Sequence, residues 1–226
     1  MRTVIDKPSR LDSYDIIVFA GGFSHGDDLA AGRVWGLELR THVGDALRKC
    51  VDRGGLVLGV CNGFQVLIES GIFQPDRAPH ERDIALYSNA SNHYECRWVE
   101  LQSHACRCPW LIDGEVMPTP VAHAEGRFVT RDAAALERLR EAGQIALTYR
   151  TPETGTDYPA NPNGSTEHIA GICDPTGRVL GLMPHPERNL TPWNNPDWSR
   201  LSSREQGEGL TFYRRMVETA TEAVCT

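Results

Sequence analysis

The chain has 226 residues, of which 40% are hydrophobic and 23% are charged. These values are ordinary for a globular protein and exclude a disordered or fibrous one. The formal net charge is −7, so the chain does not have the excess of basic residues that is typical of nucleic-acid-binding proteins. No apolar run approaches the roughly 20 residues that span a bilayer. We therefore expect a single domain over residues 1–226, located in the cytoplasm, with neither nucleic acid nor a membrane as a partner.

Two short apolar runs predict buried strands, and each ends at small residues. Asp15–Ala20 stops at Gly21-Gly22, and Leu56–Val60 leads without a spacer into Cys61-Asn62-Gly63. The helical pattern of Asp28–Asp52 lies between these two runs. We therefore expect an α/β domain in which Cys61 occupies a strand-to-helix corner.

The remaining pattern is β-rich in the middle of the chain and helical at its end. The predicted elements are a helix over Phe64–Ser70, β-rich segments over Leu86–Gln102 and Thr119–Val129, a helix over Asp132–Ala142, a strand over Ile145–Tyr149, a turn-rich loop over Tyr158–Ser165, a hairpin formed by His168–Cys173 and Val179–Met183, and a final helix over Arg204–Val224.

Gly59–Gly63 (GVCNG) has the pattern of a nucleophile elbow in which cysteine replaces serine. Small residues on both sides let the central side chain project, and they let the backbone N–H of Asn62 face a substrate oxygen. A cysteine after an apolar run is more commonly a buried structural thiol. The two glycines and the strand-to-helix context favour a nucleophile.

A nucleophilic thiol needs a base that a carboxylate orients, and Met183–Arg188 (MPHPER) contains both groups. The two prolines are expected to hold this segment extended, which places residues i and i+2 on the same side. His185 and Glu187 are therefore predicted to complete a triad with Cys61. An exposed histidine beside a salt-bridged glutamate is the alternative.

The glycine-rich turn after the first predicted strand supplies further backbone donors. The N–H groups around Gly22 and Phe23, together with that of Asn62, are predicted to form an oxyanion hole. A Gly-Gly pair after a strand is usually only a turn, so fewer sequence features support the oxyanion hole than support the nucleophile.

Five strings of the sequence resemble one protein family. They are GGFSHGDD (21–28), GVCNGFQ (59–65), AHAEGRF (122–128), NPNGS (161–165) and GLMPHPER (181–188). The pairing of G-x-C-x-G-x-Q with H-P-E resembles the class I (triad) glutamine amidotransferases. The other strings resemble, within that family, the glutaminase subunits of phosphoribosylformylglycinamidine synthases.

The resemblance implies a mechanism and a substrate. Cys61 would attack the side-chain amide of glutamine and form a thioester, His185 would protonate the departing ammonia and then activate water, and Glu187 would hold the imidazole tautomer. Gln65 would contact glutamine, and the substrate's α-amino and α-carboxylate groups would be recognised by Asn163, Gly164 and Ser165. The family string also contains His123 and Glu125, to which we assign no role here.

The resemblance also implies a fold and partners. The fold would be a flavodoxin-like, doubly wound, mostly parallel sheet with added β segments. Its first βα unit would be missing, because only fourteen mostly polar residues precede Asp15, where members of the family normally have a strand and helix of some thirty residues. The ammonia would pass to a separate synthetase subunit that uses ATP and Mg, and a small accessory subunit is a further candidate partner. This chain itself would need no cofactor.

Other classes of protein remain open from the sequence. They include an amidotransferase of guanylate or carbamoyl phosphate synthesis, a different thiol hydrolase, and a binding subunit that has the fold without the catalysis. Cys96, His104, Cys106 and Cys108 are also considered as a zinc site. Their spacing lacks C-x2-C, which disfavours that interpretation.

Overall fold

The structure is a computed structural model that describes residues 2–24, 32–78, 81–153 and 156–224. Its helices are α1 (Arg2–Ile5), α2 (Arg33–Glu38), α3 (Gly44–Asp52), α4 (Asn62–Ser70), α5 (Ala133–Glu141) and α6 (Glu208–Val224). Its strands are β1 (Ile16–Phe19), β2 (Leu56–Val60), β3 (Ile84–Tyr87), β4 (Glu95–Ser103), β5 (Val116–His123), β6 (Arg127–Thr130), β7 (Ile145–Tyr149), β8 (Ile169–Cys173) and β9 (Val179–Leu182). Short 3-10 turns cover Pro8–Ser13, Thr166–His168, Pro186–Arg188 and Pro192–Asn194.

The predicted elements are found close to their expected bounds. A π-helical turn over Leu39–Val43 joins α2 to α3, so the helix predicted over Asp28–Asp52 is continuous from Arg33 to its end. Residues 28–31 of that prediction lie outside the described residues. The final helix begins at Glu208, four residues later than predicted.

The main sheet has seven strands in the order β1-β2-β9-β8-β7-β4-β5. β1, β2 and β9 pair in parallel, and the remaining pairings are antiparallel, so that five of the seven strands run in one direction. β3 and β6 form a separate antiparallel pair. The expected α/β class is confirmed, and the added β segments are the antiparallel strands that extend the parallel part.

The most buried strands are β2, β9 and β8, which lie next to one another inside the main sheet. Every residue of β2 and of β9 is buried, as expected for strands that are covered on both faces. β1 is the edge strand, with Val18 exposed, and the described residues before it form α1 and a 3-10 turn and add no strand to the sheet. Among the described helices, none is long and apolar enough to cross a membrane.

The corner between β2 and α4 is closely packed against β1. A Cβ atom on Gly63 would overlap the carbonyl oxygen of Phe19 in β1, and a Cβ atom on Gly59 would lie 2.8 Å from the carbonyl oxygen of Gly63. Both distances are too short for any side chain. The flanking glycines therefore allow α4 to contact the sheet, and this contact fixes where Cys61 lies.

We expect Gly63→Ala to lower the free energy of unfolding by roughly 1–3 kcal/mol, because the added methyl group must displace β1 or α4. Urea unfolding of both proteins measures this change. Gly44→Ala is the matched control. Its Cβ atom would have its nearest neighbours at 3.7 Å in a helical conformation, so it should leave stability unchanged or raise it. Equal destabilisation by the two substitutions would contradict the packing argument.

Candidate active site

Cys61 lies at the corner with an unusual backbone conformation. Its φ is 52° and its ψ is −111°, a sparsely populated region that costs a non-glycine residue about 1–3 kcal/mol. Its N–H donates to the carbonyl of Leu182 at 2.8 Å, and its carbonyl accepts from Phe64 and Gln65 in the first turn of α4. The strain is therefore held by β9 on one side and by α4 on the other.

His185 and Glu187 are in contact, as predicted, although not for the predicted reason. Nδ1 of His185 and Oε1 of Glu187 are 2.5 Å apart. The segment is not extended, because Pro186–Arg188 forms a 3-10 turn that brings the glutamate back to the ring. His185 is buried, whereas the side chain of Glu187 is 41% exposed. With Nδ1–H donated to the carboxylate, Nε2 carries the lone pair, and in the described structure it has no hydrogen-bond partner.

Cys61 and His185 meet at the backbone of Gly21. A Cβ atom on Gly21 would lie 3.0 Å from Cε1 of His185 and 3.4 Å from Cβ of Cys61. The end of β5 holds both residues from the other side, because the thiol of Cys61 lies 3.8 Å from the carbonyl of Ala122 and the N–H of His185 donates to Pro120. The thiol, the imidazole and the carboxylate predicted from the sequence thus come together.

The start of α6 clamps the turn that carries the histidine–glutamate pair. A Cβ atom on Gly209 would overlap the carbonyl of Pro186, and one on Gly207 would overlap that of Asn189. The side-chain amide of Asn189 donates to Glu208 at 2.8 Å. The close contacts need glycine at both positions of the helix start, and they fix the turn against the rest of the domain.

The predicted oxyanion donors lie on two connected segments. Asn62 is the first residue of α4, and N–H groups of a first helical turn have no acceptor within the helix. Gly22 has a φ of 144°, and a Cβ atom there would have no neighbour within 4 Å. Phe23 is exposed. The N–H of Ser24 donates to Oδ1 of Asn62 at 3.3 Å, which ties the loop after β1 to the elbow.

Gln65 is held within the same network. Its amide oxygen accepts from Nδ2 of Asn62 at 2.9 Å, and its amide nitrogen donates to the carbonyl of Glu125 at 2.5 Å. The side chain connects the elbow to the turn between β5 and β6. Gln65 therefore lies in the first turn of α4, next to Cys61. Its contact with glutamine stays a prediction.

The hydrogen-bonding groups of the Asn163–Ser165 loop are used inside the protein. Asn163 is fully buried, and its amide donates to Gly126 and to the hydroxyl of Tyr149. Its oxygen accepts from both the N–H and the hydroxyl of Ser165. Gly164 has a φ of 75° and donates its N–H to the side chain of Asn161. The structure gives these side chains a role in shaping the loop, and their predicted contact with the substrate is untested.

Sequence analysis missed Asn89. Its side-chain amide donates to the carbonyls of His93 and His123 at 2.8 and 2.9 Å, and its oxygen accepts from the N–H of Gly126 at 3.2 Å. The partners at His123 and Gly126 lie 34 and 37 residues away in the chain. No local pattern could reveal them, and the family string around His123 was the one indication that this region matters.

His123 is a buried histidine beside this site. Burial is the main cause that lowers its pKa to about 4, and the charge of His185 lowers it further. His123 is therefore neutral at physiological pH. Its Nδ1 lies 3.1 Å from Oδ1 of Asn89.

The predicted alternative of a zinc site finds no support in the geometry. The described residues contain no group of three or more histidine, cysteine, aspartate or glutamate side chains that could hold a metal ion. Cys96 is exposed on β4, and Cys108 is buried. Cys106 lies beside Cys173, whose hydrogen bond lowers the pKa of the Cys106 thiol.

A family model described as a CobB/CobQ-like glutamine amidotransferase domain matches residues 1–219. This chain belongs to that glutamine amidotransferase family. The amidotransferase is 42% identical to the phosphoribosylformylglycinamidine synthase subunit PurQ of Methanococcus maripaludis over 199 residues, which are 86% of this chain and 73% of that protein. It is 36% identical to the PurQ of Dehalococcoides mccartyi over 220 residues, which are 97% of this chain and 85% of that protein.

Solved structures agree with this assignment. The structure of PurLQS from Thermotoga maritima matches the amidotransferase with a TM-score of 0.66 and 30% identity, over 92% of this chain and 80% of that one. The glutaminase domain of Trypanosoma brucei CTPS with bound acivicin matches with a TM-score of 0.57 and 14% identity, over 96% and 75% of the two chains. This second likeness supports the fold alone.

We expect Glu187→Gln to lower kcat for glutamine hydrolysis by about 10²-fold, because the amide no longer stabilises the charged imidazole or fixes its tautomer. The partial exposure of Glu187 limits the loss, since water screens the carboxylate. Glu167→Gln, an exposed carboxylate on the 3-10 turn before β8, is the control. Equal kcat values for wild type and Glu187→Gln would contradict the assigned role.

The pKa of His123 predicts a pH dependence of stability. The unfolded histidine takes up a proton near pH 6.5, whereas the folded one resists it down to about pH 4. The free energy of unfolding should therefore fall by about 2 kcal/mol between pH 7 and pH 5 on account of this group. His123→Gln should remove that part of the loss in urea unfolding, and His104→Gln should not. The same pH dependence in all three proteins would contradict a neutral, buried His123.

Proposed function

We propose that this chain is the glutaminase subunit of a phosphoribosylformylglycinamidine synthase in purine biosynthesis. The main support is structural: Cys61 and His185 approach each other at the Gly21 backbone, and Glu187 bonds to His185. The chain also aligns with PurQ subunits over most of its length. It hydrolyses glutamine to glutamate and ammonia.

In the acylating half of the proposed reaction, the sulfur of Cys61 forms a bond to the side-chain amide carbon of glutamine. His185 takes the thiol proton and passes it to the departing nitrogen, so that the C–N bond breaks and ammonia leaves. The oxyanion develops next to the N–H groups at Asn62 and the Gly22–Phe23 turn. Because the strained elbow presets the position of the sulfur, little rearrangement is needed for attack.

In the deacylating half, His185 removes a proton from water, whose oxygen bonds to the thioester carbon. The C–S bond breaks, His185 returns the proton to the sulfur of Cys61, and glutamate leaves. The short hydrogen bond from Nδ1 to Glu187 keeps the lone pair on Nε2, where both steps need it. Glu187 therefore acts through the imidazole. Gln65 and the Asn163–Ser165 loop are proposed to bind the amino-acid end of the substrate.

The ammonia is proposed to pass to an ATP- and Mg-using synthetase subunit. This proposal is supported by the names of the relatives, which are subunits of a synthase, and by the Thermotoga maritima PurLQS structure. Ammonia released into water is protonated and loses its nucleophilicity, so a protected path is needed. A small accessory subunit is proposed as a further partner. The proposed chemistry of this chain uses its own side chains and requires no cofactor.

We expect Cys61→Ala to abolish glutaminase activity, since no other group on the elbow can form the thioester. The complex of this variant with the synthetase subunit should still amidate its substrate when ammonium salt is supplied, because the variant leaves the synthetase intact. Activity with glutamine and with ammonium is measured in the same complex.

Cys96→Ala removes an exposed thiol on β4 and serves as the matched control, with full activity expected. Glutamine turnover that survives Cys61→Ala would rule out the mechanism. A wild-type complex that amidates with ammonium but never with glutamine would instead support a binding subunit without catalysis.

A further inference from the structure

His123 is a buried imidazole that the triad mechanism leaves without a task. Its side chain is 3% exposed. The preceding residue, Ala122, has its carbonyl 3.8 Å from the thiol of Cys61, and His185 is near enough that its protonated form would lower the pKa of the His123 ring. A Cβ atom on Gly126 would lie 2.5 Å from two atoms of the same ring. The imidazole is therefore held next to the reacting groups by a backbone that approaches it closely.

The tautomer of His123 is fixed by Asn89. Oδ1 of Asn89 accepts from the backbone N–H of Gly126, and Nδ2 donates to the carbonyls of His93 and His123. These three backbone groups allow only one orientation of the amide. The atom that faces Nδ1 of His123 at 3.1 Å is thus an acceptor, so Nδ1 carries the hydrogen and Nε2 carries the lone pair.

The lone pair on Nε2 of His123 is a hydrogen-bond acceptor for which the described structure supplies no donor. Within the described ranges, Nε2 of His123 is buried and has no hydrogen-bond partner. An unpaired buried acceptor is destabilising, and such groups in native proteins call for an explanation. Protonation cannot satisfy it, because burial lowers the pKa of the ring to about 4. A ligand that brings an N–H group can.

We propose that Nε2 of His123 accepts a hydrogen bond from the side-chain amide N–H of bound glutamine and thereby selects glutamine over glutamate. This inference rests on the proposed glutaminase function. The amide nitrogen offers two N–H donors, whereas the carboxylate of glutamate offers only lone pairs to the same acceptor. The contact therefore favours the substrate and disfavours the product.

His123 transfers no proton in this proposal. The sulfur bonds to the amide carbon, the C–N bond breaks, and the nitrogen receives its third hydrogen from His185. His123 keeps its lone pair directed at an N–H group of the nitrogen before and after the break. It is a contact that orients the leaving group and discriminates between ligands, and the triad supplies the protons.

The test compares two substrates in the complex with the synthetase subunit. Glutamate γ-methyl ester can acylate Cys61 but has no N–H group on its leaving group. We expect His123→Phe to lower kcat/KM for glutamine by roughly 10- to 100-fold, because the amide N–H is left unpaired. The value for the ester should change by less than about 3-fold, since no hydrogen bond is lost. His123→Gln, which offers both a donor for Asn89 and an acceptor oxygen, should restore part of the glutamine activity.

His104→Phe is the matched control, because this histidine bonds to Thr148 at 2.7 Å on another part of the sheet. It should leave the ratio of the two kcat/KM values unchanged. Equal losses for glutamine and ester in His123→Phe, or no loss for either, would overturn the inference. Failure of the wild-type complex on both substrates would instead overturn the proposed function.

Nitrogen NMR of the Cys61→Ala protein provides a test that does not depend on the folding of a His123 variant. Glutamine should shift the Nε2 resonance of His123, and glutamate should not. The resonances of His104 serve as the internal reference. An Nε2 resonance that glutamine leaves in place, while the resonances of His185 respond to it, would overturn the inference.

Discussion

The structure depends on the contact between Gly63 and the carbonyl of Phe19. The absence of a side chain at Gly63 lets α4 lie directly on β1, and this contact forces the chain to turn within one residue of β2. Cys61 absorbs that turn with its φ of 52°. The position of the nucleophile is therefore a property of the sheet and the helix together, and it exists only when both are folded.

Around this corner the polar groups are fixed before any substrate arrives. Glu187 fixes the tautomer of His185, and Asn89 fixes that of His123. The amides of Asn62 and Gln65 bond to each other. Each imidazole thus presents a lone pair in a known chemical state. A site of this kind reacts without reorganising its own dipoles, which is the main source of catalytic rate in buried polar sites.

The sequence was sufficient for the strand-to-helix corner and for naming Cys61, His185 and Glu187 as candidates, because apolar runs, glycines and the H-P-E string are local signatures. The catalytic roles of these residues stay a prediction. It failed where the determining contact is distant in the chain. The prolines around His185 suggested an extended segment, but packing against the start of α6 makes a 3-10 turn. Asn89 has no recognised signature, since its partners His123 and Gly126 lie 34 and 37 residues away in the chain, beyond β4. The internal bonding of Asn163 likewise follows from tertiary contacts with Tyr149 and Gly126.

The close contact between the start of α6 and the Pro186–Asn189 turn couples the position of the C-terminal helix to that of the proposed catalytic base, His185. Gly207 and Gly209 leave no space between the helix start and the turn, so a tilt of the helix is transmitted to the backbone on which His185 and Glu187 are mounted. The distance between a general base and its proton tolerates errors of only a fraction of an ångström. A protein that pressed on the outer surface of α6 would therefore adjust the reactivity of Cys61 without touching Cys61, His185 or Glu187.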